Sequence, residues 1–368
     1  MNNRAEKSTT PEADVPPPSQ APRKRPDWRA IRSKVAPTAE WIGRWALRTV
    51  LALLWLWCVA ALWHFPAWQD GFCVLISLGW IGGSFFALRS PPPKRIPHAV
   101  FAVFLLVRIV WGFNSASNDR DWQELAGTLP AAEFDGERVR IHNVRNVAWR
   151  TEEDFDLRWE TRDYDLRQIR SVDFIVVPFA LGRALAHVFV TFGFANGDHV
   201  SISVEIRKER NESYSPVRGM FRHYEITYVV GDEKDLIGLR ANVWREPVHL
   251  YPIKATPEQA RAMFVKMLQR ANRLAAKPRF YNTLLHNCTT TVVAHANELR
   301  NDKVSLWNWR IVLPGFSDGL VQELDLLDFD GTLDEARRRF LINDRAAFIP
   351  DSREWSRQIR QLEDSSAE

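Results

Sequence analysis

AHVFVTFGFANGDHVSISVEIR, residues 186–207, reads as two strands folded about a turn. Apolar residues fill most of the first arm and alternate with polar ones in the second, and Asn196-Gly197 between them is the strongest two-residue hairpin signal in the chain, because both residues tolerate the left-handed backbone such a turn needs. Working outward, VDFIVV (172–177), YEITYVV (224–230), LIGLR (236–240) and VHLYPI (248–253) are further strand-like runs, and EFDGERVRIHNV opens the region with a DG turn and an alternating strand. The period then changes. Thr256-Pro257-Glu258-Gln259 gives an N-cap, a proline at the first helical position and a capping-box glutamine; Met263, Phe264, Met267, Leu268, Ala271 and Leu274 follow on one face. Strands first and helices afterwards predict an α+β domain rather than a βαβ sheet.

Toward the N-terminus the chain changes character. Residues 1–40 are Pro-rich and polar, a composition that cannot bury enough apolar surface to order itself, and are expected to form a cytoplasmic tail. Residues 41–114 hold three apolar runs, at about 45–65, 71–88 and 96–113; the first two are nearly free of charge. Each spans most of a hydrocarbon core at about 1.5 Å per residue, and Arg108 in the third lies near enough to one end to snorkel. Three transmembrane helices are therefore expected. Residues 21–48 carry eight basic and two acidic side chains, and 89–95 carries Arg89, Lys94 and Arg95 with no acid. The positive-inside rule then puts the N-terminus in the cytoplasm and everything after about residue 114 outside it, at a bacterial inner membrane with a periplasmic domain. Of the chain's 49 basic and 45 acidic residues, 35 and 39 follow residue 118, so the outer domain is mildly acidic. No basic stripe interleaved with aromatics appears there, and no nucleic-acid partner is expected. The expected domain, 118–345, is followed by a helical tail, 346–368.

Chemistry converges on FYNTLLHNCTTTVVAHANEL, residues 280–299. Cys58 and Cys73 lie in apolar runs; Cys288 is alone in the outer domain. Three readings of it stay open: an inert buried thiol, a partner in an intermolecular disulfide, or a nucleophile. Asn287 is a good N-cap, and Val292, Val293, Ala296 and Leu299 keep helical spacing, although the β-branched run Thr289–Val293 leaves a local strand as an alternative. At the first turn of a helix, unpaired N–H groups and the dipole favour thiolate and can hold an oxyanion. Asn287, Thr289 and Tyr281 are the neighbouring candidates for that role. A thiol nucleophile needs a base. His295, seven residues on, stands about 10.5 Å along a helix and cannot reach the sulfur, and His286 precedes the helix as a capping or solvated residue. His187, set in an apolar strand, is the best candidate, against the alternative of a core histidine bonded to a backbone carbonyl. The hairpin brings residues 205–207 near His187, so Glu205 is the expected third group, ahead of Arg207 and Ser203. GFSDG (315–319) matches a nucleophile-elbow pattern, but no histidine follows it as that chemistry requires. No H-E-x-x-H, C-x-x-C, G-x-G-x-x-G or P-loop pattern appears, and no metal or cofactor is expected.

The order histidine strand, polar strand, then Asn-Cys at a helix start resembles the circularly permuted NlpC/P60-like branch of the papain-like thiol enzymes. NDRDW (118–122), DGERVRIHNVRN (135–146), AHVFVTFGF with HVSISVEIRKE, YVVGDEKDLIGLR and FYNTLLHNCTT resemble the Lnb N-terminal periplasmic domain family over roughly residues 118–340. That family takes its name from a lipoprotein N-acyltransferase. The resemblance implies Cys288 as nucleophile and His187 as base, in a permuted papain-like fold; the three expected membrane helices ahead of it are a departure from the enzyme that names the family. It implies a thiol-dependent acyltransferase whose partners are membrane lipid and a lipoprotein N-terminus. A cell-wall peptidase or amidase acting on peptidoglycan, and a non-enzymatic envelope-binding domain, are the rival readings.

Overall fold

The computed structural model describes residues 28–64, 96–179 and 182–362. The chain divides into two compact units, residues 1–56 and 57–368. The first, where described, is helical: α1 runs Trp28–Trp63, so it begins inside the segment expected to be a tail, and its part Trp41–Trp63 is long and apolar enough to cross a membrane. The second expected span, 71–88, lies outside the described residues. The third is helical, α2 (Ile96–Gly112), with a short apolar stretch Val100–Gly112.

Eight strands form one mixed sheet: β1 (Ala131–Asp135), β2 (Arg138–Trp149), β3 (Phe155–Asp165), β4 (Ile169–Pro178), β5 (Ala186–Phe194), β6 (His199–Arg207), β7 (Glu225–Asp232) and β8 (His249–Pro252). Their order is β1-β2-β7-β6-β5-β4-β8, with β3 on β2. Every neighbouring pair is antiparallel except β2 with β7, which meet in parallel at Arg145 and Gly231. Glycine is required there, because a Cβ on Gly231 would stand 2.2 Å from Leu236 Cδ1 and 3.0 Å from the Arg145 carbonyl oxygen.

Every residue of β5 is buried. A strand covered on both faces reads as a continuous apolar run rather than a clean alternation, which is what 186–194 shows. One face carries Val188, Val190, Phe192 and Phe194 against α4 (Pro257–Ala276), whose Phe264 ring meets Phe192 edge-on at 5.0 Å. The helix starts as its sequence predicts: Thr256 accepts from the Gln259 N–H, and the Gln259 side chain accepts in return from Thr256. The other face carries Phe189 with Ile175, Val177 and Val229, covered by α3 (Glu233–Gly238) and by Trp355 of α8 (Ser352–Gln358). Between α4 and α8 come α5 (Cys288–Asn297), α6 (Ser317–Glu323) and α7 (Leu333–Arg339).

Three expectations change. LIGLR is not a strand: Asp232 caps the Lys234 N–H at 3.0 Å, and α3 followed by a π-helical turn (Leu239–Val243) takes its place. The signal was Asp232-Glu233-Lys234-Asp235, a capping residue with acids in the first turn, which outweighs a short apolar run. The hairpin loop has three residues, not two, since Phe194 N–H bonds the Asp198 carbonyl at 2.9 Å and Gly197 alone takes a positive φ of +86°. Finally, residues 346–362 are not appended to the domain. Trp355 and Ile359 are fully buried, and Arg360 bonds both Asp173 and Glu233.

Candidate active site

Local chemistry fixes the start of α5. Asn287 is extended; its Oδ1 accepts from the Thr290 N–H at 2.8 Å, its own N–H donates to Thr290 Oγ1 at 2.9 Å, and its Nδ2 donates to the Thr283 carbonyl at 2.7 Å. Such a reciprocal cap is strong enough to override the β-branched run behind it. Cys288 is thereby the first helical residue. The Thr290 N–H is taken by the Asn287 side chain and that of Thr291 by the Asn287 carbonyl, so the N–H groups of Cys288 and Thr289 have no acceptor among the described residues.

The sheet supplies the partners. With Gly193 paired to His199 and Phe189 to Ser203, continuing the register sets His187 opposite Glu205, with Ser203 two residues away on the same face. His187 Nε2 lies 2.7 Å from Ser203 Oγ and 3.2 Å from Glu205 Oε1, and the Ser203 hydroxyl donates to Glu205 Oε1 at 2.7 Å. A serine has one proton to give, and the carboxylate receives it. Ser203 Oγ must therefore accept from His187, which places a proton on Nε2. Nδ1 is the ring nitrogen left to face the Cys288 thiol, and the two groups are close enough to shift each other's protonation.

Electrostatics follow from this arrangement. Burial pushes the Cys288 thiol up, but the hydrogen bond and charge of His187, the Val188 N–H and the Thr289 hydroxyl at 3.8 Å together bring it below its ordinary value. Burial and Arg240 work against a charged His187, yet the Glu205 carboxylate and Cys288 raise it above its ordinary value. The two shifts run in opposite directions, as expected of a thiolate–imidazolium pair. Glu205 is held well below the carboxylate range: burial opposes the charge, and His187, Arg240 and Ser203 outweigh it. Its side chain keeps 30% of its surface accessible, whereas that of His187 keeps 9% and Cys288 is buried.

All six residues singled out by sequence are placed by this geometry. Cys288, His187 and Glu205 come together. Thr289 touches the sulfur, and Tyr281 is buried nearby, where burial first and then the Cys288 charge raise its phenol. Asn287 is present as a cap, with its Oδ1 held by the Thr290 N–H and one Nδ2 proton given to the Thr283 carbonyl. Arg207 faces elsewhere, bonding the carbonyls of Ala126 and Gly127. His295 is bonded to the Tyr228 hydroxyl at 2.7 Å, and Ser317 of the GFSDG match spends its hydroxyl on the Pro314 carbonyl at 2.6 Å.

Sequence reasoning missed Arg240, whose Nη2 lies 3.5 Å from Glu205 Oε1 and whose Nη1 lies 3.4 Å from Glu246. The π-helical turn aims it there, and a strand reading of 236–240 could not. Among the described residues no group of three or more His, Cys, Asp or Glu side chains is placed to hold a metal ion. Two surface clefts, of about 490 and 420 Å³, are lined by other residues, Trp309 and Arg337 in one and Arg162 and Asp232 in the other.

Residues 155–315 match the family described as the Lnb N-terminal periplasmic domain, the family that the sequence resembles. The match runs from the start of β3 to Gly315 and so contains His187, Ser203, Glu205, Arg240 and Cys288. No curated protein and no solved structure matches the chain.

Proposed function

We propose that the protein is a membrane-anchored, cysteine-dependent acyltransferase of the permuted NlpC/P60-like type, working at the outer face of the inner membrane behind three membrane helices. The observation that carries this reading is the hydrogen-bond order Glu205–Ser203–His187, which assigns the Nε2 proton and leaves Nδ1 free to take the proton of a thiol at a helix start. His187 removes the Cys288 proton, and the sulfur attacks the carbonyl carbon of a lipid acyl ester. As the C–S bond forms, the carbonyl electron pair moves to oxygen, which the Cys288 and Thr289 N–H groups receive. Collapse breaks the ester C–O bond, and His187 returns the proton to the departing oxygen. An amine, such as a lipoprotein N-terminus, then attacks the thioester; the C–S bond breaks and the amine proton passes through His187 to the sulfur.

The family's periplasmic description and the apolar helix Trp41–Trp63 support a site held next to lipid. Mass spectrometry of lipoprotein N-termini from cells carrying Cys288→Ala tests the reading: N-acylation should be lost. Unchanged acylation would refute it. Altered muropeptides in the same cells, with acylation intact, would instead assign the thiol to peptide bonds of the cell wall.

A further inference from the structure

The turn that leads into Cys288 carries two adjacent exposed leucines, Leu284 at 45% and Leu285 at 47%. Single exposed leucines are ordinary, but this pair is held out by design of the backbone: Asn282 Oδ1 accepts from both the Leu284 and Leu285 N–H groups at 3.0 Å, and Asn282 and His286 close the turn as a bridge. The turn is also fastened to its neighbour. Thr283 bonds the Gly219 carbonyl through its N–H and the Pro216 carbonyl through Oγ1 at 2.7 Å, and Asn282 Nδ2 bonds the Met220 carbonyl at 3.4 Å. A Cβ at Gly219 would stand 2.4 Å from Thr283 Oγ1, so this contact depends on glycine.

The neighbouring loop reaches the apolar helices. Phe221 is buried with Cys58, Leu62, Val107 and Trp111, and Met220 packs on the same cluster. Arg222 lies over the Trp111 ring at 4.3 Å and donates to the Trp111 carbonyl at 3.4 Å, the pairing of cation and interfacial aromatic expected where a helix leaves the hydrocarbon. Exposed Tyr214 and Val217 extend the apolar surface of that loop.

We infer that the Asn282–His286 turn is a membrane-contact element whose Leu284 and Leu285 seat in the outer leaflet of the phospholipid bilayer, beside the helix ends that Phe221 grips. The occupant is lipid because the leucines lie two hydrogen bonds from a cluster built on the helices proposed to cross that bilayer, with Arg218 and Arg222 in the same loop to meet headgroup phosphates. The inference rests on the membrane placement in the preceding section and not on the acyl-transfer chemistry.

The test uses the full chain in phospholipid nanodiscs, with its three cysteines replaced by alanine and an NBD fluorophore on Leu285→Cys. Lipids nitroxide-labelled near the top of the acyl chain should quench the label by about twofold or more, while the same label on Glu152→Cys, in the exposed β2–β3 loop, stays unquenched. Equal, aqueous behaviour at both sites overturns the inference, and so does a label at 285 that is shielded from iodide yet unquenched by lipid, which would mean a protein partner. Crosslinking of the same cysteine-free chain, before Leu285→Cys is introduced, to a diazirine phospholipid provides a second measurement. Adducts on the peptide containing Leu284 and Leu285 support the inference, and adducts confined to α1 and α2 refute it. Because both chains lack Cys288, neither result depends on whether that thiol transfers acyl groups.

Discussion

Replacing Asn287 by alanine separates two roles that the sequence leaves together, helix cap and oxyanion donor. The structure gives both ends of the amide to the fold: Oδ1 to the Thr290 N–H at 2.8 Å and Nδ2 to the Thr283 carbonyl at 2.7 Å, at a residue that is almost fully buried. Loss of the cap costs about 1 kcal/mol. Loss of the second hydrogen bond costs about 1 kcal/mol more, since it leaves a sequestered carbonyl without a donor. A total near 2 kcal/mol should lower the midpoint of thermal unfolding by about 4–8 °C in a domain of this size class. The thiol should remain alkylatable in the folded fraction, because His187, Val188 and Thr289 still surround it. Asn287→Asp keeps the acceptor and suits the helix N-terminus, but faces the Thr283 carbonyl with an oxygen and should fall between the two. Circular dichroism melts of the full chain, with iodoacetamide labelling of Cys288 at matched folded fraction, read both quantities. An unchanged midpoint with acyl transfer abolished would refute the capping argument and return Asn287 to the oxyanion hole.

The opposed shifts of Cys288 and His187 predict that alkylation of Cys288 persists at pH values below the titration of an ordinary thiol. His187→Ala should move the onset upward past that of a free cysteine, because burial then acts alone; an unmoved profile contradicts the pair. Ser203→Ala should weaken the same effect with little change in fold, read as a smaller displacement of the pH profile. Burial lowers His295 to about 4, so the folded chain binds fewer protons than the unfolded one between about 4 and 6.5. Stability should rise with pH across that window and be lost as pH falls through it; His295→Gln should flatten the slope by up to about 1.4 kcal/mol per pH unit, measured by urea unfolding. Arg360→Ala strands the Asp173 and Glu233 carboxylates and should cost about 3 kcal/mol in the same assay, with Asp173→Asn/Glu233→Gln restoring part of it.

What could be read in the sequence was what local rules determine. The cap Thr256-Pro257-Gln259 and the cap Asn287 each specify a helix start through hydrogen bonds among a few adjacent residues, and both helices begin where those residues stand. β5 and β6 are equally legible, β5 from its nearly continuous apolar run and β6 from its strict alternation. β3 is not legible as a strand, because its exposed face is charged and its alternation, Phe155, Leu157, Trp159, is diluted by Arg and Asp. The Arg240 contact could not be read at all. It depends on a π-helical turn and on α3 lying against the sheet, neither of which is encoded in the spacing of 236–240.

The pairing of Glu205 with His187 turns on one residue of loop length. A two-residue Asn196-Gly197 turn would pair Ala195 with Asp198 and bring Ile206 opposite His187. Side chains alternate between faces, so that register would put a methyl group where a carboxylate now stands and send Glu205 to the other side of the sheet. The third loop residue, with Gly197 alone in the left-handed region, shifts the pairing by one and brings Glu205 opposite His187. Ser203 then falls on the same face at the diagonal position, close enough to take the Nε2 proton's hydrogen bond and pass its own to the carboxylate. The state of the thiol a hundred residues later thus depends on the conformation of a surface glycine: the loop sets the register, the register sets the imidazole's tautomer, and the tautomer decides which nitrogen meets sulfur.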